Sequence, residues 1–249
     1  MSSEKINLEE LKNKARNKDA SAQYELANIY KRGILVRKDL EKFSKLMEAS
    51  ANNNYEPAMY EIGLCYENGL VFDKDEDKAI EWYEKAIKKN HVESYYKLAT
   101  IIINNLKLDN NKEKLIEAEK HLRFAANNGS LNAQYQIGML YQLNLDGLTS
   151  DFIESERWLK KASENGQIDA QNALAYLYAH GSKDKKIKEN IVEAVKWWKI
   201  ASEKGNSEAQ YNLAVSLAKE AISYWEKSSE LGNEKSKYML EHLSQLEWK

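Results

Sequence analysis

The stretch AANNGSLNAQYQIG at Ala125–Gly138 returns in altered form as ASENGQIDAQNALA at Ala162–Ala175, and again as ASEKGNSEAQYNLA at Ala201–Ala214. A chain that repeats itself at intervals of 37 and 39 residues builds one supersecondary unit several times, each unit covering the apolar face of the next. Aligned on a small residue, every copy has a large aliphatic four positions later, Gly or Ala at five, and an aromatic or aliphatic at eight. The copies are Ala22/Leu26/Ala27/Tyr30, Ala58/Ile62/Gly63/Tyr66, Ser94/Leu98/Ala99/Ile102, Ala133/Ile137/Gly138/Tyr141, Ala170/Leu174/Ala175/Tyr178 and Ala209/Leu213/Ala214/Leu217. The spacings are 36, 36, 39, 37 and 39 residues. At about 100° per residue these offsets share one stripe of a helix. The small residues admit a neighbouring helix and the large ones fill the space beside it.

A second helix follows in each copy. Ala79, Trp82, Ala86 and Asn90 define it, and Ser155/Trp158/Ala162/Gly166 and Ala194/Trp197/Ala201/Gly205 repeat it. Leu46, His121 and Tyr224 take the Trp position in the other copies. The recurrence assigns Trp82, Trp158 and Trp197 to the core. The Gly or Asn eight residues after the aromatic is the left-handed residue expected just past a helix end. From it to the next alanine position is four residues in all six copies, so that turn is invariant. The uneven spacing lies between the two helices of a copy, where LDNNKEK and SKDKKIKEN read as inserted loops.

The ends fit a finite array. Residues 7–20 match the second helix alone, with Leu8, Leu11, Ala15 and Asp19 in phase and Asn7 with Glu10 at its start. Residues 233–249 match the first helix alone, through Ser236 and Leu240. Between them, residues 21–232 hold six repeats. The sixth is anomalous: Leu217 to Ala221 is only 4 residues, where Tyr30 to Phe43 is 13. With no Gly or Pro in NLAVSLAKEAISYW, this segment predicts a very tight turn or one fused helix near Lys219.

These motifs resemble the Sel-1-like repeat family, relatives of the tetratricopeptide repeat. AMYEIGLCYENG followed by KAIEWYEKAIKKN follows its signature, A-x-x-x-L-G-x-x-Y then A-x-x-W-x-x-x-A then Gly. The resemblance spans residues 7–246. It implies an all-α fold: a single right-handed superhelical α-solenoid of about six helix-turn-helix repeats, with a capping half-repeat at each end and the first helices lining the concave face. It also implies a non-enzymatic adaptor or scaffold, bacterial in origin, that binds a protein or peptide; an immunity protein neutralising a toxin is a sharper form. A cysteine-rich branch linked to β-lactam binding or hydrolysis staples each hairpin with paired cysteines. Cys65 is the only cysteine here, so that association does not transfer.

Composition and motifs narrow the chemistry. The net charge of −2 supplies no field to draw nucleic acid or an anionic membrane. No apolar run approaches the length of a membrane span, and MSSEKINLEELKNK shows no secretory pattern. A cytoplasmic address is expected, with a signal-independent export route left open. No zinc-protease His pair, Cys-x-x-Cys, phosphate loop or dinucleotide fingerprint occurs. His91, His121, His180 and His242 fall in different repeats and phases, and Cys65 sits in phase with packing residues. No catalytic residue, metal ligand, cofactor or small-molecule substrate is therefore expected. KDKKIKEN, Lys183–Asn190, is a basic loop without interleaved aromatics and reads as solvated.

What remains is a face. Offsets 2 and 6 of the first helices lie outside the alanine–leucine stripe and stack as Tyr24/Asn28, Tyr60/Leu64, Tyr96/Thr100, Tyr135/Met139, Asn172/Tyr176 and Tyr211/Val215. Offset 9 adds Lys31, Glu67 and Gln142 at the rim. Tyrosine supplies a large rigid contact area with a hydroxyl, the profile of an interface anchor. The same tyrosines also suit bracing between neighbouring helices. Two other readings, an enzyme or regulatory domain and a helical-repeat nucleic-acid binder, lack a convergent acid–base cluster and a basic groove respectively.

Trp158→Ala is expected to destabilise the chain by about 3–5 kcal/mol, the range for a large core aromatic, measured by urea denaturation; a loss below about 1 kcal/mol would remove Trp158 from the core.

Overall fold

In a computed structural model, the chain is described over residues 7–106, 111–143 and 148–245. Those residues form thirteen α-helices: α1 Leu8–Arg16, α2 Ala20–Arg32, α3 Leu40–Asn52, α4 Glu56–Asn68, α5 Glu76–Ile87, α6 Val92–Leu106, α7 Lys112–Asn127, α8 Leu131–Leu140, α9 Phe152–Glu164, α10 Ile168–His180, α11 Ile191–Glu203, α12 Ser207–Glu230 and α13 Glu234–Gln245. The chain divides into two compact units, Met1–Ala133 and Gln134–Lys249. Within each, consecutive helices pack against one another, with α2 on α3, α4 on α5, α6 on α7 and α10 on α11 making the most extensive pairs.

The repeat stripe is the core. Ala22, Ala58, Ser94, Ala133, Ala170 and Ala209 are all buried. Gly63 and Gly138 mark where the second helix of each hairpin presses closest. A methyl group on Gly63 would lie 2.6 Å from the Tyr83 ring, and one on Gly138 would lie 2.8 Å from Leu159 Cγ. Tyr83 and Leu159 fill these sites, and Met47, Leu122 and Trp198 hold the same position in the other hairpins, all five buried. Each stands one position after the residue at the Trp position of the sequence pattern. Trp158 is itself core, but Trp82 and Trp197 are only partly buried at its edge. Their assignment to the core is corrected: the inward direction of the second helix falls between two adjacent residues, and the following residue takes most of the burial.

The turns between repeats behave as their spacing requires. Asn54, Asn90, Gly129, Gly166, Gly205 and Gly232 all have positive φ. In the N-terminal half-repeat the left-handed residue is Lys18 at φ 65, not Asp19. Lys18 keeps the four-residue step to Ala22, while Asp19 has turned extended and caps α2 by accepting from the Ala22 amide. Asn7 caps α1 in the same way through the Glu10 amide. A glutamine one residue after the alanine position reinforces three of these turns, buried at Gln23 and Gln171 and exposed at Gln210. Gln23, Gln171 and Gln210 each donate from Nε2 to the carbonyl eight residues back, at Ala15, Ser163 and Ser202. The last carbonyls of one helix are thereby satisfied by the next.

Within repeats, the hairpins close by another recurring bond. The amides of Asp39, Asp75, Asp151 and Asn190 donate to the carbonyls of Tyr30, Tyr66, Tyr141 and Tyr178, while the same four side chains cap α3, α5, α9 and α11. The long third repeat is lengthened differently from the expectation. Of LDNNKEK, Asn111 is already the cap and Lys112–Lys114 already helix; the preceding residues 107–110 lie outside the described residues. An extra turn of α7 thus absorbs part of the insertion. SKDKKIKEN is a true loop, but its centre is anchored: Ile187 is buried and its amide donates to Ser182 Oγ.

The sixth repeat is one continuous helix, α12, of 24 residues. This is the fused alternative of the two that the missing loop allowed. Gly33, Gly69 and Gly181 end the first helices of their repeats; Glu220 stands at that position in the sixth, and no Asp or Asn occurs from Val215 to Leu231 to start a new helix. Without a stop or a start, a run rich in good helix formers continues.

Gly63→Ala is expected to cost about 1–3 kcal/mol through overpacking against the rigid, buried Tyr83, read as a lower urea midpoint at unchanged slope. A change within about 0.5 kcal/mol would show that the α4–α5 hairpin has slack at this point.

Candidate binding face

The offset-2 and offset-6 residues line two separate grooves, one in each unit. In Met1–Ala133, a groove of about 630 Å³ is lined by Tyr24, Asn28, Lys31 and Leu64 together with Ile34 and Glu61. In Gln134–Lys249, a groove of about 340 Å³ is lined by Tyr135, Met139, Gln142, Asn172 and Tyr176, with Asp169 and Glu208 at its margin. Nine of the fifteen residues singled out from the sequence thus come together in two groups. Tyr60, Tyr96, Thr100 and Val215 are partly buried on their own helices, and Tyr211 is exposed.

Several of these side chains are already engaged. Tyr24 meets the Tyr55 ring edge-on at 5.3 Å between centroids. Tyr60 lies 4.7 Å from the His91 ring and 5.8 Å from the Tyr83 ring, and burial pushes its phenol well above the usual range. Both tyrosines therefore brace the turn into the following repeat and leave one flank to the surface. Asn172 Oδ1 accepts from Trp198 Nε1 at 3.1 Å, so it ties α10 to α11 within its own hairpin. Gln142 donates to Ser155 Oγ at 3.1 Å. Asn28 and Thr100 donate to the carbonyls of Tyr24 and Tyr96, four residues back. Tyr176 is 54% exposed, stacked on His180 at 4.2 Å, and is the freest large anchor in either groove.

The rim charges follow a rule that the sequence pattern did not reveal. Offset 9 of one repeat pairs with offset 3 of the next. Lys31 bonds Glu61, and Glu67 bonds Lys97 at 2.9 Å with the polarity reversed. Glu67 also accepts from the Tyr83 hydroxyl, joining the rim to the core. The spacing of 30 residues was visible in the sequence, but only proximity identifies the partners. These pairs leave little net charge on the rim of the first groove. Asp169 and Glu208 make that of the second acidic.

The groups that invited a chemical reading are dispersed. His91 is partly buried with its Nδ1 3.0 Å from Ser94 Oγ, and burial lowers its pKa. His121 lies beside Glu117, and His180 and His242 each face the carbonyl four residues back. Among the described residues, no group of three or more His, Cys, Asp or Glu is placed to hold a metal. No described helix is long and apolar enough to cross a membrane. Cys65 is buried, and burial pushes its thiol from 9.0 up to about 11. It packs with Ile62 and Met59 as a small hydrophobe.

Cys65 is therefore expected to resist a thiol reagent at pH 8 in the folded chain and to react once urea unfolds it. The protonated thiol is the form that folding favours, so its contribution is intact below pH 9 and declines as pH rises towards about 11. Rapid labelling of the native chain at pH 8 would contradict its burial.

The Sel1 repeat family profile matches residues 20–54, 56–91, 131–167, 168–206 and 207–233. The segment left between the second and third of these is the drifting third copy, which still folds as the α6–α7 hairpin. A search of curated protein sequences returned no match. Among solved structures, a protective antigen of uropathogenic Escherichia coli displaying an SLR fold is 27% identical with a TM-score of 0.67, covering 98% of this chain and 60% of its own. The chain thus spans about 60% of that antigen's length. A Sel1 repeat protein from Oxalobacter formigenes is 22% identical with a TM-score of 0.70, covering 96% of this chain and 99% of its own. An immunity protein from Pseudomonas aeruginosa is 19% identical with a TM-score of 0.50, covering 76% and 67%. With five matched repeats, an all-α array of helical hairpins and a protein-interaction scaffold for a fold, the chain belongs to the Sel1 repeat family.

Proposed function

We propose that this chain is a non-enzymatic binding module that holds a segment of another protein on its offset-2 and offset-6 face. The observation that carries this reading is the groove around Tyr176. A half-exposed aromatic, the flexible thioether of Met139 and the ring of Tyr135 surround a space rimmed by Asp169 and Glu208. Aromatic and Met surfaces contribute most of the affinity in interfaces of this kind. Flanking carboxylates favour a partner that brings Lys or Arg beside an apolar anchor. The groove around Leu64 and Ile34 offers a second apolar floor with near-balanced charge. Neither groove is basic, which weighs against nucleic acid.

The reading extends to the side chains that do not face a partner. Tyr60, Asn172, Lys31 and Glu67 act as braces that hold the grooves in shape, so that binding meets little reorganisation. A toxin domain is one partner such a groove suits, and one of the structures of similar fold is an immunity protein of Pseudomonas aeruginosa. Action in the cytoplasm is consistent with a lone, buried thiol.

Affinity capture from a lysate, quantified by mass spectrometry, compares the wild type with Tyr176→Ala and Leu64→Ala. Tyr176 is exposed and Leu64 is partly buried against the Tyr83 cluster, so circular dichroism and a urea midpoint first establish that both variants fold. Specific partners are expected to drop about tenfold or more with at least one variant, the effect of losing an anchor worth about 1.4 kcal/mol or more. Full retention with both variants would move binding to the opposite face or the loops.

A further inference from the structure

We propose that the sixth repeat is completed by a second copy of this chain, two molecules exchanging the stretch Ala221–Gln245 so that each covers the other's Ser207–Leu217 face. The argument begins with what the other repeats bury. Offset 5 is buried in repeats one to five, at Ala27, Gly63, Ala99, Gly138 and Ala175, yet Ala214 is exposed. Leu217, at offset 8, is 49% exposed, whereas at that offset Tyr141 is buried and Tyr30, Tyr66, Ile102 and Tyr178 are partly buried. The second-helix half shows the mirror of this defect. Ala79, Tyr83 and Ala86 are fully buried in the second repeat. Their counterparts Ala221, Trp225 and Ser228 are only partly covered, and Tyr224 is 62% exposed.

One interface accounts for all of these losses. The start of α12 is in place against α11, with Ala209 fully buried. The end of α12 is in place against α13: Gly232 makes the usual left-handed turn, Asn233 caps α13 through the Ser236 amide, and Ser236 is buried. Only the contact between the two halves of α12 is missing. A continuous helix forbids it, because residues 214 and 225 sit about 16 Å apart along the axis at 1.5 Å per residue.

The occupant follows from the same register. A first-helix face of this family accepts a second helix carrying a small residue, a large one four later and a small one seven later. Ala221, Trp225 and Ser228 are such a set, and within their own molecule they have no such face to meet. A second copy carries the matching face and the same unmatched set, so reciprocal exchange satisfies both and closes as a two-fold dimer. The offset-2 and offset-6 positions Tyr211 and Val215 lie outside this contact, so the proposal stands independently of the binding groove.

Light scattering on the full chain over a dilution series is expected to give a dimer. Inserting the residues of Gly69–Asp77 between Lys219 and Glu220 restores the 13-residue step from position 217 to 221 seen between Tyr66 and Ala79, and is expected to give a monomer. An Ala214→Cys, Trp225→Cys variant is expected to oxidise to a dimer joined by two disulfides, and to close within one chain once the insertion is present; each single variant should form neither. Cys65, buried, does not compete. A wild type monomeric at every concentration, an insertion variant that remains dimeric, or a disulfide within one chain of the uninserted double variant would each overturn the proposal. Should loss of Trp225 unfold the double variant, the scattering comparison still decides.

Discussion

Everything in this chain rests on the close approach of two helices at a small residue. Where Gly63 meets Tyr83 and Gly138 meets Leu159, the glycine makes the space and the large side chain fills it. The burial gained there is local to one hairpin, and the alanine stripe passes it on to the neighbouring one. That is why the array tolerates variation in its connections. A loop can be longer, as at Ser182–Ile187, or exchanged for a turn of helix, as in α7, provided the two faces still meet.

The grooves are a consequence of this arrangement. With one stripe of each first helix committed to packing, offsets 2 and 6 are turned outward and recur from repeat to repeat. Many side chains there have internal duties. Tyr24 and Tyr60 brace rings in the next repeat, Asn172 positions Trp198, and Glu67 ties Lys97 to the Tyr83 hydroxyl. The surface offered to a partner is therefore held by the same bonds that stack the repeats. The partly free anchors Tyr176, Met139 and Leu64 project from a rigid frame.

The sixth repeat shows what happens when a connection is removed altogether. Loss of the stopping glycine and the capping Asp or Asn leaves a helix that has no reason to end, and helical continuity takes precedence over the hairpin. Local hydrogen bonding along α12 and the register of its two halves then oppose each other. The chain keeps the first and leaves the second unsatisfied within a single molecule.

Periodicity carried much of the architecture. The two helices of the first five copies, the invariant turn with its left-handed Gly or Asn, and the missing connection near Lys219 follow from spacing, because helical phase and capping are properties of short stretches; whether that connection is a tight turn or a fused helix did not. Other features depended on which side chains meet. Helical phase brackets the inward direction only to within a residue, so it could not choose between Trp82 and Tyr83, or between Trp197 and Trp198. It placed the left-handed residue at Asp19 where the chain uses Lys18. It put Lys31 and Glu67 on a rim but could not name Glu61 and Lys97, which bind them. Burial, ion pairing and groove shape arise between residues some 30 positions apart, and no local pattern contains the distance between them.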